Sequence, residues 1–170
     1  MCKNTIKVFV LVALTLAAMS VSAQVKLGHI ETQKLIQAMP EWTAAQKTFE
    51  EEQKKVNTEL NSLREQFQTK LAEYSEKMKT YSEAMRATTE EELQGLQQRI
   101  QRFQETAMAQ LEKTQNDLMQ PVMEKALNAI KEVGKENGFT YIFDMNAGIL
   151  YAAENSQDVL PLVKKKLGLQ

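Results

Sequence analysis

The sequence is poor in the residues on which most enzymes and disulfide-stabilised proteins depend. It contains one cysteine, at position 2, and one histidine, His29. It also lacks the patterns typical of a nucleotide-binding glycine loop, a serine hydrolase or a zinc protease. These absences argue against an enzyme, and they predict neither a cofactor nor a metal site.

Glycine and proline are also scarce, with six and three residues in a chain of 170. A composition rich in Glu, Gln, Lys, Ala and Leu, with few helix breakers, is typical of long helices. The 22 acidic and 21 basic residues nearly balance. Proteins that bind nucleic acid usually carry a strong basic excess, so we expect no nucleic-acid partner.

Only one long hydrophobic run is present, and it lies near the N-terminus. Val8–Ala18 follows two lysines and precedes the small residues Val21–Ala23. This order is typical of a secretory signal peptide cleaved after Ala23. The run is too short to span a membrane, so we expect export without stable membrane insertion. Cleavage would remove Cys2 and both lysines, leaving 21 − 2 = 19 basic residues against 22 acidic ones.

Two long segments show apolar residues spaced alternately three and four positions apart. This spacing predicts helices over about Glu41–Met85 and Glu90–Asn137 that pack against each other along one seam. Two successive steps of four, at Leu63, Phe67 and Leu71, form a stutter that locally unwinds such a seam. The seam residues are Trp42, Ala45, Phe49, Val56, Leu60, Leu63, Phe67, Leu71, Tyr74, Met78, Tyr81 and Met85, then Leu93, Leu96, Ile100, Phe103, Ala107, Leu111 and Leu118.

The break between the two segments is short. A capping-box pattern, which begins at Thr88 or at Thr89, marks the start of the second helix. So short a connection predicts an antiparallel helical hairpin. With the turn centred on Thr88, we expect Tyr74 to lie near Arg102–Phe103.

Pro121 lies inside the second helical segment. Its ring crowds the carbonyl of Asp117 and it supplies no amide hydrogen, so we expect a kink or a break that serves as a hinge. The apolar face beyond it is denser, which indicates that the helix there enters a packed body.

Short elements flank the hairpin. The sequence predicts a strand over Val25–Ile30, a helix over Glu31–Met39, and a strand over Phe139–Phe143. We expect Ile149–Ala152 to return as the antiparallel partner of that strand. A last helix should follow Asp158, whose side chain can cap it.

These elements together predict an α+β fold, mostly α, in which a long antiparallel helical hairpin, the coiled-coil arm, stands on a small β body. About 60–70 residues form a marginal core, and their strand edges would be open. We therefore expect oligomerisation, and interpret the completed assembly as a trimer on the resemblance given below. The candidate contact residues are Leu27, Ile30, Val122, Leu127, Ile130, Val133, Tyr141, Phe143 and Leu150.

The sequence divides accordingly into three regions. Residues 1–23 form the signal peptide, and residues 41–121 form the hairpin arm. The oligomerisation body comprises residues 24–40 and 122–170. Within that body, His29 is interpreted as a packed or partly exposed strand residue and Asp144 as a turn former.

Many seam residues are large and adaptable. They have two interpretations, which do not exclude each other. The side chains pack the two helices of the hairpin together, or part of their surface stays exposed and binds a client chain. Methionine is suited to the second use because it adapts to irregular surfaces. The candidate client-binding residues are Phe67, Tyr74, Met78, Tyr81, Met85, Phe103 and Met108.

Nearly the whole of the predicted mature chain resembles the Skp, or OmpH, family of periplasmic chaperones. The resemblance begins with the strand and helix of Val25–Leu35. It is most specific in Asp117–Val122, in Ile130–Asp144, and in the strand-like Gly148–Tyr151.

This resemblance implies a homotrimer in the periplasm whose three arms surround a cavity. It further implies a holdase without ATP, which binds unfolded outer-membrane proteins and prevents their aggregation. The sequence departs from the strongly basic members, since residues 50–105 carry 9 basic and 12 acidic side chains. Apolar contact should therefore matter more than charge. One alternative is a structural or adaptor coiled-coil protein of the cell envelope. Another is a prefoldin-like chaperone with helical tentacles, but the predicted signal peptide argues against the cytosolic location of such a protein.

Overall fold

The structure is a computed structural model, and it describes residues 25–149, 151–153 and 156–169. The predicted signal peptide and Leu150 lie outside these residues. The predicted fold class, mostly helical with a small sheet, is confirmed, whereas trimerisation stays a prediction. In chain order the elements are β1 (Leu27–Ile30), α1 (Thr32–Gln37), α2 (Pro40–Lys77), α3 (Glu83–Glu136), β2 (Tyr141–Asp144), β3 (Gln157–Asp158) and α4 (Leu160–Lys166).

The two long helices, α2 and α3, form the predicted hairpin. Pro40 occupies the first position of α2, where its missing amide hydrogen costs nothing. The 38 residues of α2 extend about 57 Å, and the 54 residues of α3 about 81 Å. The helix α3 ends before Gly138, which has the positive φ of 68° that glycine adopts without strain.

The turn of the hairpin lies earlier in the chain than predicted. Ser82 is the N-cap of α3, and its side chain accepts a hydrogen bond from the Met85 amide at 3.3 Å. Thr89, part of the expected capping box, lies inside α3, and its hydroxyl donates to the Met85 carbonyl. Tyr74 consequently faces Glu90, more than three helical turns before the predicted Arg102–Phe103.

Pro121 does not break α3. The helix continues through it to Glu136. The missing amide leaves only the carbonyl of Asp117 without its helical donor, and Asp117 is exposed, so water can satisfy that oxygen. The predicted break is therefore wrong, whereas the alternative of a kink and the role of Pro121 as a hinge stay predictions.

The sheet has three strands in the order β2-β1-β3, and β1 pairs in parallel with both neighbours. Leu27 pairs with Tyr141 and His29 with Phe143. The expected antiparallel return strand is wrong, because residues 149, 151 and 152 form no strand. The chain instead crosses to the other edge of β1, where Val159 donates its amide to the His29 carbonyl at 2.9 Å.

One hydrophobic core lies where the sheet meets α1, α4 and the C-terminal part of α3. Its largest side chains, among them Leu35, Met39 and Val163, are almost fully buried. Each such side chain contributes about 1.5–3 kcal/mol through burial. The complete cluster is Ile30, Leu35, Ile36, Met39, Val122, Ala126, Ala129, Val133, Val159 and Val163.

Candidate functional site: the helical arm and the open sheet face

The seam between α2 and α3 covers some of the predicted residues completely and others in part. On α3, Leu93 and Ala107 are buried, Met85 is exposed, and the remaining predicted seam residues are half-buried. On α2, Ala45 and Leu63 are buried. Leu71, which follows the stutter, is exposed because two successive steps of four rotate it away from the seam. Leu71 is not among the candidate client-binding residues, although its position after the stutter could have indicated its exposure.

The seven candidate client-binding residues fall into two groups. Met78, Met85 and Met108 are exposed, and Met108 leaves 74% of its surface in solvent. The aromatic candidates Phe67, Tyr74, Tyr81 and Phe103 are half-buried. An arm of only two helices therefore cannot cover its own apolar residues, and both proposed uses of these side chains remain compatible with the packing.

Tyrosines and a glutamate fix the tip of the arm. The Tyr74 hydroxyl donates a hydrogen bond to the Glu90 carboxylate across the two helices. That hydrogen bond raises the pKa of the Tyr74 phenol, because the neutral hydroxyl is the form that can donate. The rings of Tyr74 and Tyr81 lie 6.3 Å apart in a tilted arrangement. These contacts connect both helices to the turn.

A groove of about 730 Å³ opens between the two helices in the distal half of the arm. It lies at Gly95, where a Cβ would meet nothing within 4 Å. Its walls carry charges of both signs, including the Lys70–Glu92 ion pair. Most residues that line the groove are polar or charged, and the exposed Leu71, Met78, Met85 and Met108 lie outside it.

The body holds its polar groups in structural roles. His29 Nδ1 is hydrogen-bonded to the Ser156 hydroxyl at 2.8 Å. Asp144 accepts hydrogen bonds within its own turn, as predicted, and also from the amide of Thr32. Across the described ranges, every buried side-chain nitrogen and oxygen has a partner, and no cluster of residues suited to a metal ion occurs.

One face of the sheet is open. Leu27 and Phe143 are nearly half exposed and Tyr141 is 60% exposed, with the Tyr141 and Phe143 rings stacked at 6.0 Å. Leu127 is also exposed on α3, and Ile130 packs against the edge of the core. Three other candidates for oligomer contacts, Ile30, Val122 and Val133, are buried inside this chain's own core. Sequence reasoning did not single out Tyr151, which is 80% exposed.

Comparison with known protein families gives a match that spans the arm and the body. The model of the OmpH-like outer membrane protein family matches residues 26–167. The chain belongs to the OmpH-like family. This match covers both the arm and the body, so the predicted family resemblance is confirmed.

A solved structure shows the same OmpH-like fold. The crystal structure of a putative outer membrane chaperone, OmpH-like, from Caulobacter crescentus is similar with a TM-score of 0.75. The sequences are 16% identical, and the similarity covers 85% of each chain. No curated protein matches the sequence. Among the described residues of this OmpH-like chain, no helix is long and apolar enough to cross a membrane.

Proposed function

We propose that this OmpH-like chain is a periplasmic holdase chaperone that works without ATP and keeps unfolded outer-membrane proteins from aggregating. The observation that carries the proposal is an arm that leaves large apolar side chains uncovered. Leu71, Met78, Met85 and Met108 are all exposed. Family membership supports a chaperone role in general, and the exposed arm residues suggest where clients bind.

Weak contacts repeated along several arms would hold a client. An unfolded β-barrel strand presents apolar side chains at alternate positions, and each exposed residue on an arm can cover only a few of them. Several arms in one assembly raise the effective concentration of contacts, so retention does not require a tight single site. Methionine adapts to clients of different shape because its side chain is unbranched and flexible.

The assembly that brings the arms together is a homotrimer in this proposal. The open sheet face carries Leu27, Tyr141 and Phe143, which two further copies of the chain would cover. Among the residues that the structure describes, no further strand pairs with the outer edge of β2 or of β3, so other copies could pair with these edges or shield them. Residues 24–40 and 122–170 would then form the shared body and residues 41–121 the arms, with Pro121 as the hinge between them.

An aggregation assay tests the chaperone proposal. An unfolded outer-membrane β-barrel protein is diluted from urea, with and without a molar excess of the chain, and its light scattering is followed. The wild type should suppress the scattering. An arm variant with Leu71→Ser, Met85→Ser and Met108→Ser should suppress it less. The matched control replaces three exposed polar residues of the same arm, Gln68→Ser, Gln94→Ser and Gln98→Ser.

Unchanged scattering with wild-type protein would refute the holdase proposal. Equal suppression by the arm variant and the wild type would refute the client site. Binding to one folded envelope protein at fixed stoichiometry, without general suppression, would instead favour the structural or adaptor function.

A further inference from the structure

The uncovered apolar surface of the arm consists mostly of methionine. Along residues 41–121 the exposed large apolar side chains are Leu71, Met78, Met85 and Met108. Met39, in the core, is only 1% exposed. The chain therefore places three thioethers in solvent on the arm, and a fourth, Met123, on the body.

An exposed thioether is readily oxidised by hypochlorous acid. The balanced step is R–S–R′ + HOCl → R–S(=O)–R′ + H⁺ + Cl⁻, in which sulfur loses two electrons and chlorine gains them. The sulfoxide is polar and must give up hydration to enter an apolar contact. A methionine that binds a client through its apolar surface should therefore bind it less well after oxidation.

We propose that Met78, Met85 and Met108 are oxidation sites, and that their conversion to sulfoxide weakens the capture of unfolded clients. This inference rests on the proposed function. The sequence has a single cysteine, Cys2, in the predicted signal peptide. Residues 25–169 contain no cysteine, so methionine is the sulfur group that an oxidant meets there.

Oxidation at these positions should leave the fold intact. The three side chains are exposed and belong to no part of the core cluster. Two of them flank the turn of the arm: Met78 directly follows α2, and Met85 uses its backbone amide, not its sulfur, to contact Ser82. The change is also reversible, because a sulfoxide reductase and two thiols return the thioether and release a disulfide and water.

The test uses full-length protein in a Cys2→Ser background, so that no thiol contributes. The protein receives graded hypochlorous acid, and peptide mass spectrometry then locates the sulfoxides. The same samples enter the aggregation assay with a urea-unfolded β-barrel protein. The arm variant carries Met78→Leu, Met85→Leu and Met108→Leu, and the matched control carries Met39→Leu, Met119→Leu and Met145→Leu. Leucine conserves the volume of methionine closely enough for both variants to fold.

We expect Met85 and Met108 to be oxidised at lower doses of hypochlorous acid than Met39. At a dose that oxidises the exposed methionines but not Met39, the wild type should lose at least threefold of its suppression of aggregation. The control variant should lose as much suppression, the arm variant should lose none, and sulfoxide reductase should restore suppression. Helical circular dichroism and the mass of the assembly should stay constant.

Three results would overturn the inference while leaving the proposed function in place. The first is full suppression by protein that carries sulfoxides at the three positions. The second is an equal loss of suppression in the arm variant. The third is a loss of suppression that accompanies unfolding or dissociation. If the protein fails to suppress aggregation before any oxidant is added, the proposed function itself fails.

Discussion

The Asp144 carboxylate accepts a hydrogen bond from the backbone amide of Thr32, with a nitrogen–oxygen distance of 3.3 Å. Thr32 is the first residue of α1, and the N-cap residue of that helix, Glu31, makes no capping hydrogen bond through its side chain. The same carboxylate accepts from the amide of Asn146 at 3.0 Å. Asp144 therefore closes its own turn and caps a helix that is distant in the sequence.

Replacing Asp144 by alanine should destabilise the protein by about 1–2 kcal/mol. The substitution leaves the first amide of α1 without its side-chain acceptor and removes the acceptor of the turn. Urea unfolding at one fixed protein concentration measures the change, since assembly would make stability depend on concentration. Asp117→Ala removes an exposed carboxylate from α3 and serves as the matched control, with an expected change within about 0.5 kcal/mol. Equal effects of the two substitutions would contradict the capping role.

The contribution of Asp144 should also disappear at low pH. Burial by itself raises the pKa of this carboxyl, but the hydrogen bonds from Asn146 and Thr32 outweigh burial and hold the pKa below the ordinary value of 3.8. A group whose pKa is lower in the folded state stabilises the protein above its unfolded pKa, and loses that effect as pH falls through the folded value. The difference in unfolding free energy between wild type and Asp144→Asn should therefore be constant above about pH 5 and shrink below 3.8. A difference that stays constant down to pH 2.5 would exclude the charged carboxylate as its source.

The long-range spacing of apolar residues made the helical hairpin predictable from the sequence. The heptad spacing from Trp42 to Leu118 identified two helices and their seam, since an apolar stripe of this length must face a partner. The ends of these helices also follow local rules, since Pro40 is the first residue of α2 and Gly138, with its positive φ, follows α3.

The position of the hairpin turn and the pairing of the strands could not be predicted, because several segments carry similar local sequence signals. The Thr-Thr-Glu-Glu-Glu stretch looked like a stronger helix start than Ser82, yet Ser82 caps α3. Apolar residues such as Tyr81 also continue the seam spacing through the turn, so the spacing does not show where the first helix ends. In the body, the strand that pairs with β2 could not be predicted. The short segment Ile149–Ala152 has the local pattern of a strand, but β2 pairs in parallel with β1, and that pairing depends on tertiary packing.

Two glycine-to-alanine substitutions should change stability in opposite directions. A Cβ at Gly28 would lie 2.9 Å from both a Phe139 ring carbon and a Val159 methyl group. Overpacking there should destabilise the protein by about 1–3 kcal/mol. Gly95 lies inside α3, and a Cβ at this position would meet nothing within 4 Å, so alanine should stabilise the helix by about 0.5–1 kcal/mol. Thermal and urea unfolding measure both changes. A stabilising Gly28→Ala would show that the β1 contact with Phe139 and Val159 is looser than the distances indicate.

The contact between Tyr74 and Glu90 sets the register of the arm, and a titration can test it. The hydrogen bond to Glu90 raises the pKa of the Tyr74 phenol above its ordinary value of 10.0. The ultraviolet absorbance of tyrosinate, taken as the difference between wild type and Tyr74→Phe, isolates this group among the four tyrosines. In a Glu90→Gln background the same difference titration should shift to lower pH, because the charged acceptor is gone.

The matched control is Glu91→Gln, which removes the same charge one position further along α3. It should leave the Tyr74 titration close to that of the wild type, since a shift of about 100° around the helix turns residue 91 away from the Tyr74 hydroxyl. A larger shift from Glu91→Gln than from Glu90→Gln would mean that the two helices pair in another register. A titration that responds to neither substitution would place Tyr74 away from both residues, as a turn centred on Thr88 requires. Only the register with the turn at Met78–Ser82 predicts a response to Glu90 alone.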